Sequence, residues 1–102
     1  MNFKGQTYYF IGIGGIGMSA IARYLVLQGA HVLGYDKTPS LITDSMQKLG
    51  IPIVFDESLI ALPKSVNSIE TQVVYTPAIP DTHPQLNFYL NQGNRVVKRA
   101  QI

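Results

Sequence analysis

The run Tyr8-Tyr9-Phe10-Ile11-Gly12-Ile13-Gly14-Gly15-Ile16-Gly17-Met18-Ser19 constrains this chain more than any other feature, because an apolar strand leads straight into Gly12-x-Gly14-x-x-Gly17 and then into a helix. The first glycine allows a tight turn, the second lets backbone approach a pyrophosphate, and the third lets helix and strand pack closely. Glycine-rich hexapeptides are common, so the flanking residues carry the weight. Ile21, Tyr24 and Leu25 recur at helical spacing and Gln28-Gly29 supplies a stop, which predicts a helix over about Gly15 to Gln28. Its first amides, roughly those of Gly14 to Met18, lack intrahelical partners and stand at the positive end of the macrodipole, where a phosphate oxygen is the natural ligand.

The second strand, His31 to Tyr35, ends in Asp36. That carboxylate falls about 20 residues beyond the motif, the position from which it accepts hydrogen bonds from a ribose. The alternative is a turn that serves packing alone, with Asp36 capping the next segment.

At 102 residues the chain makes one small domain. An apolar fraction of 46% against 14% charged residues suits a packed core. A net charge of +2, with Lys98-Arg99 as the only adjacent basic pair, argues against a nucleic-acid surface, and the pair reads as a solvated strand end. With no cysteine, disulfides, thiolate catalysis and sulfur-ligated metals are excluded. No signal peptide and no apolar run of membrane-spanning length is visible, so the expected setting is cytoplasmic, away from membranes.

Strand-like and helix-like segments alternate along the rest. Thr38-Pro39-Ser40 opens a helix whose Ile42, Met46 and Leu49 share one face, and Gly50 ends it. Ile51 to Phe55 forms a third strand. Asp56 to Ser68 is poorly patterned, and Leu59-Ile60-Ala61-Leu62 before Pro63 suggests one short helix and a loop. Gln72 to Tyr75 is a fourth strand, a helix from near Pro84 runs through Leu86, Tyr89 and Leu90 to Gly93, and Arg95-Val96-Val97 is a fifth strand. The expected class is α/β: a Rossmann-like five-stranded parallel sheet with helices on both faces and, from right-handed crossovers, strand order 3-2-1-4-5. Ligands of such sheets sit at the carboxyl ends of the strands where the winding reverses. Three loops meet there: Gly12 to Gly17 for phosphate, Asp36-Lys37 for ribose, and Thr76 to Pro80 for what lies beyond the phosphates.

Other reactive residue types have plainer roles. His31 opens a strand and His83 lies in a loop, neither with a second ligand at metal spacing. Ser19 has no identifiable base, so phosphate contact or capping is expected. Tyr8 and Tyr9 alternate across a strand, so at least one packs. Lys37 either meets a phosphate or is solvated. Glu57 and Asp81 are assigned to the surface.

Phe10 through Ala22, Gly34-Tyr35-Asp36, Val73-Val74-Tyr75-Thr76-Pro77-Ala78-Ile79 and Lys98-Arg99-Ala100 together resemble the N-terminal domain of the UDP-N-acetylmuramate:L-alanine ligases of the Mur ligase family. The resemblance covers nearly the whole chain, and its Gly-Ile-Gly-Gly-Ile-Gly-Met-Ser run is much narrower than the general dinucleotide fingerprint. It implies that the domain binds UDP-N-acetylmuramate rather than NAD, with contacts from Gly12, Ile13, Gly14, Gly15, Ile16, Gly17, Met18 and Ser19 to the diphosphate. It also implies that Asp36 lies near the uridine ribose, with Lys37 beside it as a further substrate-binding candidate, and that Thr76, Ala78 and Ile79 line the sugar side. Two departures stand out. The family usually has two serines where Thr76-Pro77 stands, and Pro77 lacks both a hydroxyl and an amide donor. It also tends to carry Gly-His where this chain has Phe55-Asp56, so no ligand contact is assigned there.

The full-length enzymes phosphorylate the muramate carboxylate with ATP, and the amine of L-alanine then attacks the acyl phosphate. That chemistry needs a GxxxxGK[ST] loop and magnesium. This chain has no Gly-Lys-Ser/Thr triplet and no carboxylate cluster fit for magnesium. The resemblance therefore implies a substrate-binding fragment, residues 1–102, whose ATP, magnesium and remaining domains belong to the parent enzyme. Such a fragment binds and has no catalytic residue of its own. The rival is an NAD-binding module of a dehydrogenase or a ligand-sensing regulator, since Asp36 would equally suit the 2′-hydroxyl of NAD.

Overall fold

The central strand, β1 (Thr7–Ile11), is apolar along its length because both of its faces are covered. Tyr8 and Phe10 point into one core with Met18, Ala22, Leu25, Val32, Met46 and Val74, while Tyr9 and Ile11 point into a second with Leu62, Val66, Val73, Leu86 and Tyr89. The computed structural model describes residues 3–99. Its remaining elements are α1 (Ile16–Leu27), β2 (His31–Tyr35), α2 (Leu41–Lys48), β3 (Ile53–Val54), a 3-10 turn (Lys64–Val66), β4 (Gln72–Tyr75), α3 (Pro84–Gln92) and β5 (Val96–Lys98).

All pairings are parallel and the order is β3-β2-β1-β4-β5, as the sequence argument requires. Helices α1 and α2 cover the Tyr8 face; α3 and the 3-10 turn cover the Tyr9 face. Register matters most for the site. Ile11 pairs with Tyr35 and with Tyr75, Tyr35 pairs with Val54, and Tyr75 pairs with Lys98. The next residue of each strand therefore lies along one edge, in the order Phe55, Asp36, Gly12, Thr76, Arg99.

Some local expectations need correction. β3 has only two ladder residues; Pro52 has no N–H to donate, although its carbonyl still accepts from Gly34, and the strand lies at the sheet edge. No helix forms at Leu59 to Leu62. Two turns close there, Ala61 to Ser58 and Leu62 to Leu59, and the only helical turn follows Pro63, consistent with proline disfavouring a helical residue before it. Tyr24, Leu49 and Leu90 are more than half exposed, and the inward line of α1 is Met18, Ala22 and Leu25. Ala100, part of the last family-like block, lies outside the described residues.

Candidate functional site

The glycine turn is held from below by β2. Gly12 takes φ +94°, and the amides of Gly12 and Ile13 both donate to the Tyr35 carbonyl, at 2.8 and 2.9 Å. Gly15 N–H donates back to the Gly12 carbonyl at 3.2 Å, and Gly14 N–H donates to Asp36 Oδ2 at 2.7 Å. The open amides are thus fewer than the sequence suggests: those of Ile16, Gly17 and Met18, the first three of α1, which have no i−4 partner inside the helix. Neither a side-chain cap nor an acidic residue sits in that first turn, so no residue of α1 itself offsets the positive end of the macrodipole.

Asp36 does two jobs. Oδ2 fixes the glycine turn, and Oδ1 accepts from Thr38 N–H at 3.1 Å, which shapes the entry to α2. Each carboxylate oxygen has a second lone pair, so the group retains capacity for a ribose hydroxyl.

A crevice of about 760 Å³ opens at this edge. Of the sequence-derived residues, Gly12, Gly15, Asp36, Lys37, Thr76, Ala78 and Ile79 line it. The side chains of Ile13, Met18 and Ser19 are buried, and Ser19 Oγ donates to the Ile16 carbonyl at 3.0 Å, so these three have chiefly backbone to offer a ligand. Ile16 is exposed. A larger hollow, about 1010 Å³, lies beside α1 and is lined by Tyr24, Val74 and Val97, with Gln6, Glu70 and Arg95 toward the amino ends of the strands. It is apolar and holds none of the turn residues, so the site is assigned to the smaller crevice.

Sequence reasoning missed five neighbours here: Tyr35, Phe55, Asp56, Glu57 and His83 all line the crevice. His83 lies in the loop before α3, as expected, but is buried there. It caps α3, its Nδ1 accepting from Leu86 N–H at 3.3 Å, which places the ring proton on Nε2. Nε2 is buried without a hydrogen-bond partner among the described residues, and Glu57 Oε2 is 4.0 Å away. Burial pushes the imidazole below its ordinary pKa, and Glu57 opposes that in part. The Tyr35 ring meets His83 edge to face at 4.7 Å, and burial, followed by the nearby acids Glu57, Asp36 and Asp56, raises its hydroxyl. Among the described residues no three His, Asp or Glu side chains are grouped to hold a metal ion, and no helix is long and apolar enough to cross a membrane. Lys98 and Arg99 are exposed at the end of β5, as expected of a solvated strand end, and Arg99 makes one contact the sequence did not suggest. Although exposed, its guanidinium lies against Gly17, while Lys98 Nζ stands 6.0 Å over the Tyr75 ring.

Comparison with known proteins agrees with this geometry. The model of the Mur ligase family, catalytic domain, matches residues 7–102. UDP-N-acetylmuramate--L-alanine ligase of Porphyromonas gingivalis is 54% identical over 98 residues, 95% of this chain and 22% of that protein. The enzyme of the same name from Flavobacterium psychrophilum is 47% identical over 97 residues, again 95% of this chain and 22% of its own length. The crystal structure of UDP-N-acetylmuramate-alanine ligase from Thermotoga maritima superposes with a TM-score of 0.82 at 30% identity, covering 93% of this chain and 21% of that one. This chain thus spans about a fifth of the length of the relatives it matches. Sheet order, glycine turn and sequence agree on one conclusion: the chain belongs to the Mur ligase family.

Proposed function

We propose that this chain is the UDP-N-acetylmuramate-binding domain of an ATP-dependent UDP-N-acetylmuramate:L-alanine ligase acting in peptidoglycan precursor synthesis. The observation that carries this is the uncapped first turn of α1 on a rigid glycine turn, beside a crevice bounded by Asp36 and Thr76, in a chain 54% identical to a ligase of that name. The open amides of Ile16 to Met18 hold the diphosphate, Asp36 and Lys37 face the uridine, and Thr76, Ala78 and Ile79 face the sugar. Gly12, Gly14 and Gly15 act by shaping the turn, Ile13 and Ser19 by anchoring it. ATP, magnesium and the acyl-phosphate chemistry are assigned to further domains of the parent enzyme, which are its partners, and the cytoplasm, where nucleotide sugars and ATP are made, is its place. No residue of this chain supplies a nucleotide-binding lysine loop.

Amide chemical shifts of the labelled chain, followed while UDP-N-acetylmuramate and NAD are added separately, test this. Shifts at Gly14 to Ser19, Asp36 and Thr76 with the UDP-sugar alone are expected. The same shifts with NAD alone would replace the ligase reading with a redox or sensor module.

A further inference from the structure

The register of the sheet carries a residue to the site from the far end of the sequence. Because Tyr75 pairs with Lys98, Arg99 leaves β5 level with Thr76, at the same edge as the glycine turn. β5 lies two strands from β1, about 10 Å, and the arginine side chain spans that gap toward the first turn of α1. A Cβ placed on Gly17 would fall 2.5 Å from Nη2, 2.6 Å from Nε and 2.8 Å from Cζ of Arg99. A side chain at position 17 would therefore push the guanidinium, the far end of a flexible and exposed arginine, away from the helix.

The electrostatics of that contact are unusual. A cation beside a helix N-terminus opposes the macrodipole. The first turn of α1 has no acidic residue, and among the described residues no carboxylate comes within 4.0 Å of the Arg99 guanidinium. Asp36 is engaged by the amides of Gly14 and Thr38. Three open amides and a guanidinium thus stand together at the start of α1, and the Asp36 carboxylate, bound to Gly14, is not within ion-pair distance of the guanidinium.

We propose that Arg99 is a substrate-binding residue whose guanidinium closes over the diphosphate held by the amides of Ile16 to Met18, a role that rests on the nucleotide-sugar reading above. The planar fork suits two phosphate oxygens, and charge-assisted hydrogen bonds of this kind are the strong ones. Glycine at 17 leaves the space from which the guanidinium reaches the anion.

Dissociation constants from amide-shift titration of the 102-residue chain test the proposal, using wild type, Arg99→Ala, Arg99→Lys and Gly17→Ala against UDP-N-acetylmuramate, UDP, ADP and uridine. Arg99→Ala is expected to weaken UDP and the UDP-sugar about ten- to a hundredfold and leave uridine unchanged. Arg99→Lys should fall between, keeping charge and losing the fork, and Gly17→Ala should reproduce the loss by displacing the guanidinium. Arg99→Ala binding UDP as tightly as wild type, with its amide spectrum intact, would overturn this proposal and leave the UDP-sugar reading standing. Equal losses for uridine and UDP would also overturn it, since the effect would then come through the fold. A wild-type chain that prefers ADP, with the same dependence on Arg99, would keep the diphosphate contact and overturn the ligase assignment. A chain blind to every diphosphate would remove both.

Discussion

Gly12 carries two constraints at once: φ +94°, and a neighbour, the Thr76 methyl, in the space a Cβ would take. Gly12→Ala is expected to cost about 1–3 kcal/mol of stability from backbone strain, read from urea denaturation; a change below about 0.5 kcal/mol, ordinary for surface substitutions, would show that neither constraint holds. His83 sets a different test. Its Nδ1 must stay unprotonated to cap α3, and burial holds its folded pKa below the ordinary value near 6.5. The unfolded chain therefore binds a proton where the folded chain does not. The contribution of His83 is complete above about pH 6.5 and is lost as pH falls from there through the folded value. Urea melts at pH 7.5 and 5.5 should show a larger loss for wild type than for His83→Asn, whose side-chain oxygen preserves the cap. Equal losses would mean that other groups carry the dependence. In the sequence the acceptor role of His83 was invisible, because a proline at position 84 marks a helix start without saying which atom closes it.

At the scale of elements, helix starts were more legible than helix environments. α2 is closed by a reciprocal capping box: Thr43 N–H donates to Ser40 Oγ at 3.2 Å, and Ser40 N–H donates to Thr43 Oγ1 at 2.8 Å. Ser40→Ala should destabilise the domain by about 1 kcal/mol, measured by thermal or urea unfolding; binding of a nucleotide at α1 should be unaffected. Periodicity located α1, α2 and α3 to within a residue or two, since an amphipathic pattern of 3.6 is local information. It misplaced the short helix near Pro63 because Leu59 to Leu62 is apolar without a helical buried face: Leu62 alone is buried, whereas Leu59 is half exposed and Ile60 is 98% exposed. What fixes that segment is contact with distant elements, which spacing does not encode.

Across the whole molecule, a buried chain of hydrogen bonds joins sheet, helix and crevice wall. Tyr9 hydroxyl donates to Gln85 Oε1 at 2.7 Å, and Gln85 Nε2 donates to the carbonyls of Asp56 at 3.0 Å and Ser58 at 2.9 Å. Burial holds the Tyr9 hydroxyl well above its usual pKa, so it remains a donor. Gln85→Leu strips this network, and we expect a loss of about 1–3 kcal/mol, together with faster hydrogen exchange at the Ala61 and Leu62 amides, whose turn it braces; unchanged exchange there would show that the segment is held otherwise. The sequence by itself determined the parallel α/β class, the strand order, the glycine turn and the nearness of Asp36 to it, because periodicity, turn chemistry and crossover handedness act over short stretches of chain. Only the tertiary structure decided that Phe55 and Arg99 join Asp36, Gly12 and Thr76 along one edge, and that His83 meets Glu57. Those meetings depend on pairing register, and register is set by which faces of distant strands are buried together.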